Sequence, residues 1–270
     1  MLGGAPFNVA WHLKGFDLDP LLVSRVGNDD GGKKILSTMQ TWGMDTSGIE
    51  VDPFHGTGEV EVTLEQGTPR FNIVPDMSYD YINAPAHTAQ PPELIYHGSL
   101  ALRNPVASQA LSHIVEDHPA PIFLDINLRP PWWSPDQISS LMDRATWLKV
   151  NDEELVLIEP KPDNLREKAQ IVLQRHNLEL ILVTEGERGA FAMSETGETR
   201  EVAPAAEITV TETVGAGDAF SAVCILGLLQ KWPLTITLQR AQQFASLVVM
   251  QQGATLSDLS TYRDLLRAWR

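Results

Sequence analysis

Apolar residues recur with three different spacings along this chain, and the spacing tells the elements apart. Near the start, Val9, Ala10, Leu13 and Phe16 fall on one helical face, and Pro6 suits a first helical turn. Leu21 to Val26 reads as a short buried strand, and Asp30 to Trp42 as a helix with Ile35, Leu36 and Met39 inward, ended by Gly43. From Val51 to Ile73 the period drops to two. Val60, Val62 and Leu64 alternate with Glu59, Glu61, Thr63 and Glu65, and Gln66-Gly67 reads as a turn before Phe71 and Ile73. That predicts strands with one solvated face, a small β flap or an ordinary surface hairpin.

Beyond Pro75 the strands become continuous apolar runs: Leu94 to His97, Ile122 to Ile126, Trp147 to Val150 and Leu180 to Val183. Such runs are buried on both faces. Helices are predicted between them at Pro105 to Glu116, from the Ser134-Pro135 cap to Arg144, and at Asn164 to Asn177. Ala190 to Met193 adds β structure, and Ile236 to Gln251 and Thr261 to Trp269 are the last helices. Strands alternating with helices predict an α/β fold with a mostly parallel sheet covered on both faces.

One stretch stands apart. Glu212 to Ala222 reads ETVGAGDAFSA, and the apolar run from Ala219 to Leu229 follows it. A glycine-rich turn opening a helix presents unpaired N–H groups and the positive end of the helix dipole, which together attract an anion, above all a phosphate. Asp218 in the mouth of such a site makes sense as a base for a hydroxyl that attacks that phosphate. A plain helix start with a favourable first-turn acid stays open as an alternative. A dinucleotide fingerprint would need a third glycine where Phe220 stands, and the Gly-Lys-Ser/Thr of a P-loop occurs nowhere.

In parallel sheets ligands bind beyond the carboxyl ends of the strands. The polar residues expected there are Ser99, Asn127, Arg129, Asn151, Glu154, Thr184, Gly186 and Gly215 to Asp218, joined at the front by Gly3, Gly4 and Asn8. They supply amides and hydroxyls for a sugar, an arginine for phosphate and a carboxylate near a metal. Each has a plainer reading. Asn151 and Glu154 could be a helix cap, Arg129 a surface charge, Asn8 a backbone ligand at a helix start, and Thr184 to Gly186 a turn. All of these plain readings would have to hold together, at the correct strand ends.

Composition narrows the field. The 270 residues are 43% hydrophobic, enough for one large α/β domain. A net charge of −15 and a pI near 4.8 argue against nucleic acid. The single cysteine, Cys224, excludes a disulfide framework, and the seven histidines show no metal-ligand spacing. No apolar run suits a membrane span and no signal peptide is evident, so a soluble cytoplasmic protein is expected.

These residues resemble the ribokinase-like, or PfkB, carbohydrate kinases over nearly the whole chain. GGAPFNVA is similar to the amino-terminal signature of that family and TVGAGDAF to its carboxy-terminal signature. Asn151-Asp152-Glu153-Glu154 looks like its Asn-x-x-Glu motif and Val183 to Ala190 like its nucleotide-binding loop. DINLRPPWW, Asp125 to Trp133, together with GGAPFNVAWHL looks most like the bacterial fructokinase branch. The resemblance implies a single domain over 1–270, a three-layer α/β/α sandwich with a β lid at about 51–75. It implies ATP and Mg²⁺ as cofactors, a small-molecule sugar as partner, and fructose as first substrate, with 2-dehydro-3-deoxygluconate or another sugar as the alternative.

Roles follow by position. Asp218 would be the catalytic base, and Gly215, Ala216 and Gly217 the anion hole. Asn151, Thr184, Gly186 and Gly189 would bind ATP, Glu154 would hold Mg²⁺ through water, and Gly3, Gly4, Asn8 and Arg129 would bind the sugar. The alternating strands allow a homodimer through the lid. Two departures qualify the match. The family's first strand and loop, with a sugar-binding aspartate, have no counterpart before Gly3, which leaves turnover in question and a non-catalytic nucleotide- or sugar-binding protein as the rival. Glu212 stands where many relatives have an aspartate that helps bind a monovalent cation, which puts K⁺ activation in doubt.

Overall fold

The computed structural model of the chain describes residues 2–65, 68–85, 90–204 and 211–270, and for 61–65 and 68–71 the backbone alone. One predicted feature, the turn at Gln66-Gly67, lies outside the described residues. The chain divides into two compact units. One holds Met1–Leu18, Pro92–Leu100 and Ala120–Arg270; the other holds Asp19–Pro91 and Ala101–Pro119.

In chain order, helix α1 spans Ala5–Gly15, with Pro6 in its first turn, as expected. It belongs to the larger unit. The smaller unit opens with β1, Ser24–Gly27, and α2, Asp30–Trp42. The Asp29 side chain caps α2 by accepting from Gly32 N–H, and Gly43, at φ 80°, ends it in the left-handed conformation a glycine tolerates. Strand β2, Ile49–Asp52, pairs parallel with β1, and β3, Val60–Glu65, pairs antiparallel with β4, Thr68–Ile73. The period-two stretch is thus a hairpin. Buried ion pairs consolidate this unit, Arg25 with Asp52 at 2.9 Å and Arg103 with Asp80 at 2.7 Å.

Strand β5, Ile95–His97, returns to the larger unit, and α3, Pro105–Asp117, lies in the smaller one. From there the chain stays in the larger unit. It runs through β6 (Ile122–Asp125), α4 (Pro135–Met142), β7 (Trp147–Asn151), α5 (Asp152–Ile158), α6 (Leu165–Arg175), β8 (Leu180–Thr184), β9 (Ala190–Ser194) and β10 (Thr199–Val202). The helices α7 (Ala216–Leu229), α8 (Leu234–Val249) and α9 (Leu259–Ala268) complete it. Six strands form one sheet in the order β10-β9-β8-β7-β6-β5, parallel from β5 to β8 and antiparallel at β9 and β10.

One face of that sheet packs Leu124, Leu148, Val150, Ile181, Val183 and Phe191 against Ile138, Leu155, Ala169 and Val172 of α4, α5 and α6. The other face receives α7, which is apolar almost all round and buried from Ala219 to Gly227. Helix α1 packs on α7, and α8 packs on α7, β9 and β10. The unit is therefore a three-layer α/β/α sandwich, as expected.

An aromatic cluster fixes α1 to the carboxy-terminal helices. Phe16 meets Phe244 at 4.8 Å, Tyr262 at 5.0 Å and Trp269 at 5.4 Å between ring centroids. Phe244 also meets the edge of His12 at 5.0 Å. Phe244→Ala is expected to lower the unfolding free energy by about 3–5 kcal/mol, because a fully buried ring leaves a cavity the cluster cannot close. Urea unfolding against the parent chain measures it; a loss below about 1 kcal/mol would show that the cluster collapses around the gap.

Candidate active site

Everything that the sequence points to as a site belongs to the larger unit. Gly215 caps α7 at φ 86°, a backbone state that side chains rarely adopt. A Cβ there would stand 2.6 Å from Ala254, so the turn is both left-handed and pressed against the 250–256 segment. Glu212 fastens the turn's leading edge by accepting from Gly253 N–H at 2.9 Å. No side chain caps α7; Ala216 N–H donates to Thr213 C=O at 3.3 Å, and the following N–H groups, at Gly217 and Asp218, leave the helix start electropositive.

Asp218 lies in that first turn, recessed but with a face still open. Asn8 Nδ2, from α1, donates to its Oδ2 at 2.7 Å. Burial raises the Asp218 carboxyl to a pKa of about 6; the Asn8 hydrogen bond pulls the other way, Asp125 pushes it up further, and Lys149 and Arg129 draw it down. Asn8 is itself buried, and its Oδ1 has no hydrogen-bond partner among the described residues. A Cβ on Gly3 would lie 3.7 Å from that oxygen, so Gly3 borders it. Gly4 caps α1 at φ 115°. The structure thus gathers Gly3, Asn8, Asp218 and the anion turn in one place. Arg129 is exposed and donates to Leu128 C=O at 2.8 Å, close enough to influence Asp218.

Next along the sheet, Asn151 and Thr184 are register partners at the carboxyl ends of β7 and β8. Asn151 Oδ1 accepts from Glu154 N–H at 2.7 Å, and Glu154 Oε2 accepts from Asn151 N–H at 3.0 Å, a reciprocal capping box. The other oxygen, Oε1, accepts from Leu128 N–H at 2.8 Å. Burial raises the Glu154 pKa, and these N–H groups oppose the rise. The plain reading of Asn151 and Glu154 as a cap is therefore what the geometry shows. It also fixes the loop after β6 to α5, and each Glu154 oxygen keeps a lone pair for water. Gly186, at φ 58°, opens a single 3₁₀ turn, and a Cβ on Gly189 would collide with Val202 C=O at 2.0 Å.

Among the described residues, no three His, Cys, Asp or Glu side chains converge to hold a metal ion. The donors at Asn151 and Glu154 fit Mg²⁺ that enters with the phosphates of a nucleotide and keeps its waters, not a dedicated cage.

Three residues outside the predicted set also belong here. Lys149 Nζ bonds both oxygens of Asp125, at 3.0 and 2.9 Å, and Ser221 Oγ donates to Asp125 Oδ2 at 2.9 Å. A charged residue inside an otherwise apolar strand run was the signal for Lys149, and Asp125 stood in the quoted DINLRPPWW stretch without a role. Beside them the Tyr96 hydroxyl is buried without a hydrogen bond of ordinary geometry; burial, with Asp125 and Asp218 nearby, raises its pKa well above the usual tyrosine value.

Comparison with known proteins agrees with this geometry. The pfkB family of carbohydrate kinases matches residues 1–261. A protein named fructokinase from Salmonella typhimurium is 30% identical, the alignment covering 98% of this chain and 91% of that one. A probable fructokinase-3 from Arabidopsis thaliana is also 30% identical over 81% of this chain, which spans 66% of that relative's length. Among solved structures, fructokinase from Vibrio cholerae O395 in a fructose, ADP and calcium ion bound form is 25% identical, with a TM-score of 0.81 over 98% of this chain and 91% of that one.

The raised pKa of Asp218 has a consequence for stability. A carboxyl raised from 3.8 to about 6 favours the folded state most at low pH, and that contribution is lost as pH rises through about 6. Asp218→Asn keeps an acceptor for Asn8 and removes the buried charge. The variant is expected to be more stable than the parent at pH 8, with the advantage shrinking as the pH falls from about 6 to about 4. Urea unfolding at both pH values tests this; a pH-independent difference would mean that Asp218 is not desolvated.

Proposed function

The chain belongs to the pfkB family of carbohydrate kinases, and on that premise we propose that it transfers the terminal phosphoryl group of Mg-ATP to a hydroxyl of a sugar, with fructose the first candidate. One observation carries the reading. A recessed carboxylate with a pKa near 6 stands in the first turn of α7, beside the N–H groups of Gly217 and Asp218, which have no backbone partner among the described residues and can receive an anion. A carboxylate there would repel a phosphate that merely bound. As a proton acceptor it has a task.

With Oδ2 engaged by Asn8, Asp218 Oδ1 is the atom that accepts the proton of the sugar hydroxyl. The hydroxyl oxygen then attacks phosphorus, and the bond from phosphorus to the bridging oxygen of ADP breaks. Charge developing on the transferring group is met by the N–H groups of Gly215 and Gly217, and of Ala216 as it gives up its 3.3 Å bond to Thr213 C=O. Asn8 Oδ1, buried and unpartnered among the described residues, would accept from a second sugar hydroxyl once Gly3 beside it gives way, and Gly4 and Arg129 would complete the sugar site. Asn151, Thr184, Gly186 and Gly189 would line the nucleotide site. Mg²⁺, held at Glu154 through water, would screen the phosphate charge. The fructose preference rests on the named relatives and on the fructose and ADP of the Vibrio cholerae structure.

ADP production from Mg-ATP tests the proposal with fructose, 2-dehydro-3-deoxygluconate and ribose as acceptors. Fructose is expected to be turned over fastest, and Asp218→Asn to lose about 10²–10⁴-fold. Since the base must be ionised, kcat/KM is expected to rise with pH through an apparent pKa near 6. Nucleotide binding without turnover of any acceptor would favour a non-catalytic binding protein instead. Full activity in Asp218→Asn would remove the base from Asp218.

A further inference from the structure

Beneath the glycine turn lies an ion pair that the mechanism above does not use. Asp125 and Lys149 are register partners on β6 and β7, so their side chains emerge side by side on the face that receives α7. Both are almost wholly buried, at 1% and 6% exposure. Ser221, fully buried, stands three residues after Asp218 and therefore on the same side of α7, and its hydroxyl bonds Asp125. A Cβ on Gly217 would lie only 3.3 Å from Lys149 Nζ, so nothing but the glycine hydrogens separates the turn from the ammonium.

Burying a lysine and an aspartate together is seldom the stable choice. Desolvation opposes both charges, and a well-packed apolar pair serves a sheet interior as well or better. The neighbouring Phe123, Leu148 and Leu182 show that this sheet has such packing available. The pair is located where it touches both the helix start and the residue that precedes the proposed base.

We propose that Lys149 is a positioning residue for the phosphoryl transfer: its buried ammonium cancels the charge of Asp125 directly under the glycine turn, and so sets the height of the first turn of α7 and the electrostatic surroundings of Asp218. The proposal rests on the kinase reading above. The charged and titratable groups that face Asp218 are Asp125 from β6, Arg129 from the loop after it, Lys149 from β7 and Tyr96 from β5; α1 offers only the neutral Asn8. Glu154 of α5 acts on Lys149, and Cys224 of α7 is buried with its thiol pushed up. Burial opposes the charge on Lys149, but Asp125, Glu154 and Asp218 outweigh it, so the lysine stays protonated. Without Lys149, the charge of Asp125 would face Asp218 uncancelled. Without Asp125, the lysine would.

Opposite shifts follow from removing opposite charges. Lys149→Met is expected to move the acid limb of kcat/KM upward by roughly one pH unit or more, and Asp125→Asn to move it downward. The double variant Asp125→Asn/Lys149→Met is expected to return the limb to within about half a unit of the parent, since both charges are gone. A packing role alone would lower stability in urea and leave the limb where it was. That result in either single variant overturns the proposal, and so does a double variant displaced as far as Lys149→Met. Should Lys149→Met fail to fold, Asp125→Asn decides by the same downward shift. Asp218→Asn is run alongside. Absence of turnover of any acceptor by the parent removes the kinase reading itself, an acid limb that persists in Asp218→Asn removes Asp218 as the base and the proposal with it, and lost turnover in Asp218→Asn with an unmoved limb in the charge variants removes only the role of Lys149.

Discussion

A hydrogen bond between residues 210 positions apart in sequence holds the site together: Asn8 Nδ2 donates to Asp218 Oδ2. It matters because it gives Asp218 a fixed rotamer without neutralising it. An arginine or lysine in the place of Asn8 would pin the carboxylate equally well and depress its pKa, leaving it a poor base. The neutral amide orients and lets burial set the basicity. Much of the larger unit can be understood as what keeps those two side chains 2.7 Å apart. Phe16, Phe244, Tyr262 and Trp269 lock α1 against α8 and α9. His12 extends the lock toward the turn. Burial lowers its pKa to about 4, so the ring is neutral; Nε2–H donates to Ala254 C=O at 3.2 Å and Nδ1 accepts from the Tyr262 hydroxyl at 2.8 Å. Ala254 in turn abuts Gly215.

The chain carries a net charge of −15, yet its site is built for an anion. The two facts do not conflict. Surface charge is screened over about 8 Å at physiological ionic strength, whereas the field at a helix start is local and made by backbone dipoles. An anion site of amide N–H groups also needs no mobile cationic side chain to be ordered on binding, and its dipoles need little reorganisation as charge moves from attacking oxygen to leaving group. The apolar, almost wholly buried α7 gives those dipoles a rigid base.

Most of the fold was legible because it follows from periodicity and punctuation. Asp29, Asn104, Ser134, Asn151, Asn164 and Asp258 each cap a helix with the side chain, and Gly43 ends one. The elements that escaped notice were short and lacked such marks. Strand β2 is four residues long, and β10, Thr-Arg-Glu-Val, is largely exposed and polar, so only its pairing with β9 makes it a strand. At the site, residues whose chemistry is local were readable: the glycines, Asp218, and the Asn151–Glu154 pair. The geometry of that pair is first a helix cap, a case where the structural and the functional reading share the same atoms. Asp125, Lys149 and Ser221 escaped because their meaning is tertiary. They are separated by as many as 96 residues, and nothing in the sequence shows which face of β6 and β7 the helix will cover.

Asp218 also explains why this corner of the protein is built so tightly. A carboxyl held at about 6 is ionised at neutral pH in a place that resists ionisation, so the working form of the site is the less stable one. The stability that Asp218 could contribute is present below about pH 4 and is gone once the pH exceeds 6, in the range where a base is useful. Strain of that kind persists only where surrounding structure holds it. Here Gly215 is wedged against Ala254, Glu212 is tied to Gly253, and α7 is enclosed by α1, α8 and the sheet. Loosening any of these would let the carboxylate swing to water, where its pKa would fall toward that of an ordinary aspartate. The helix would be relieved and the base weakened by the same motion.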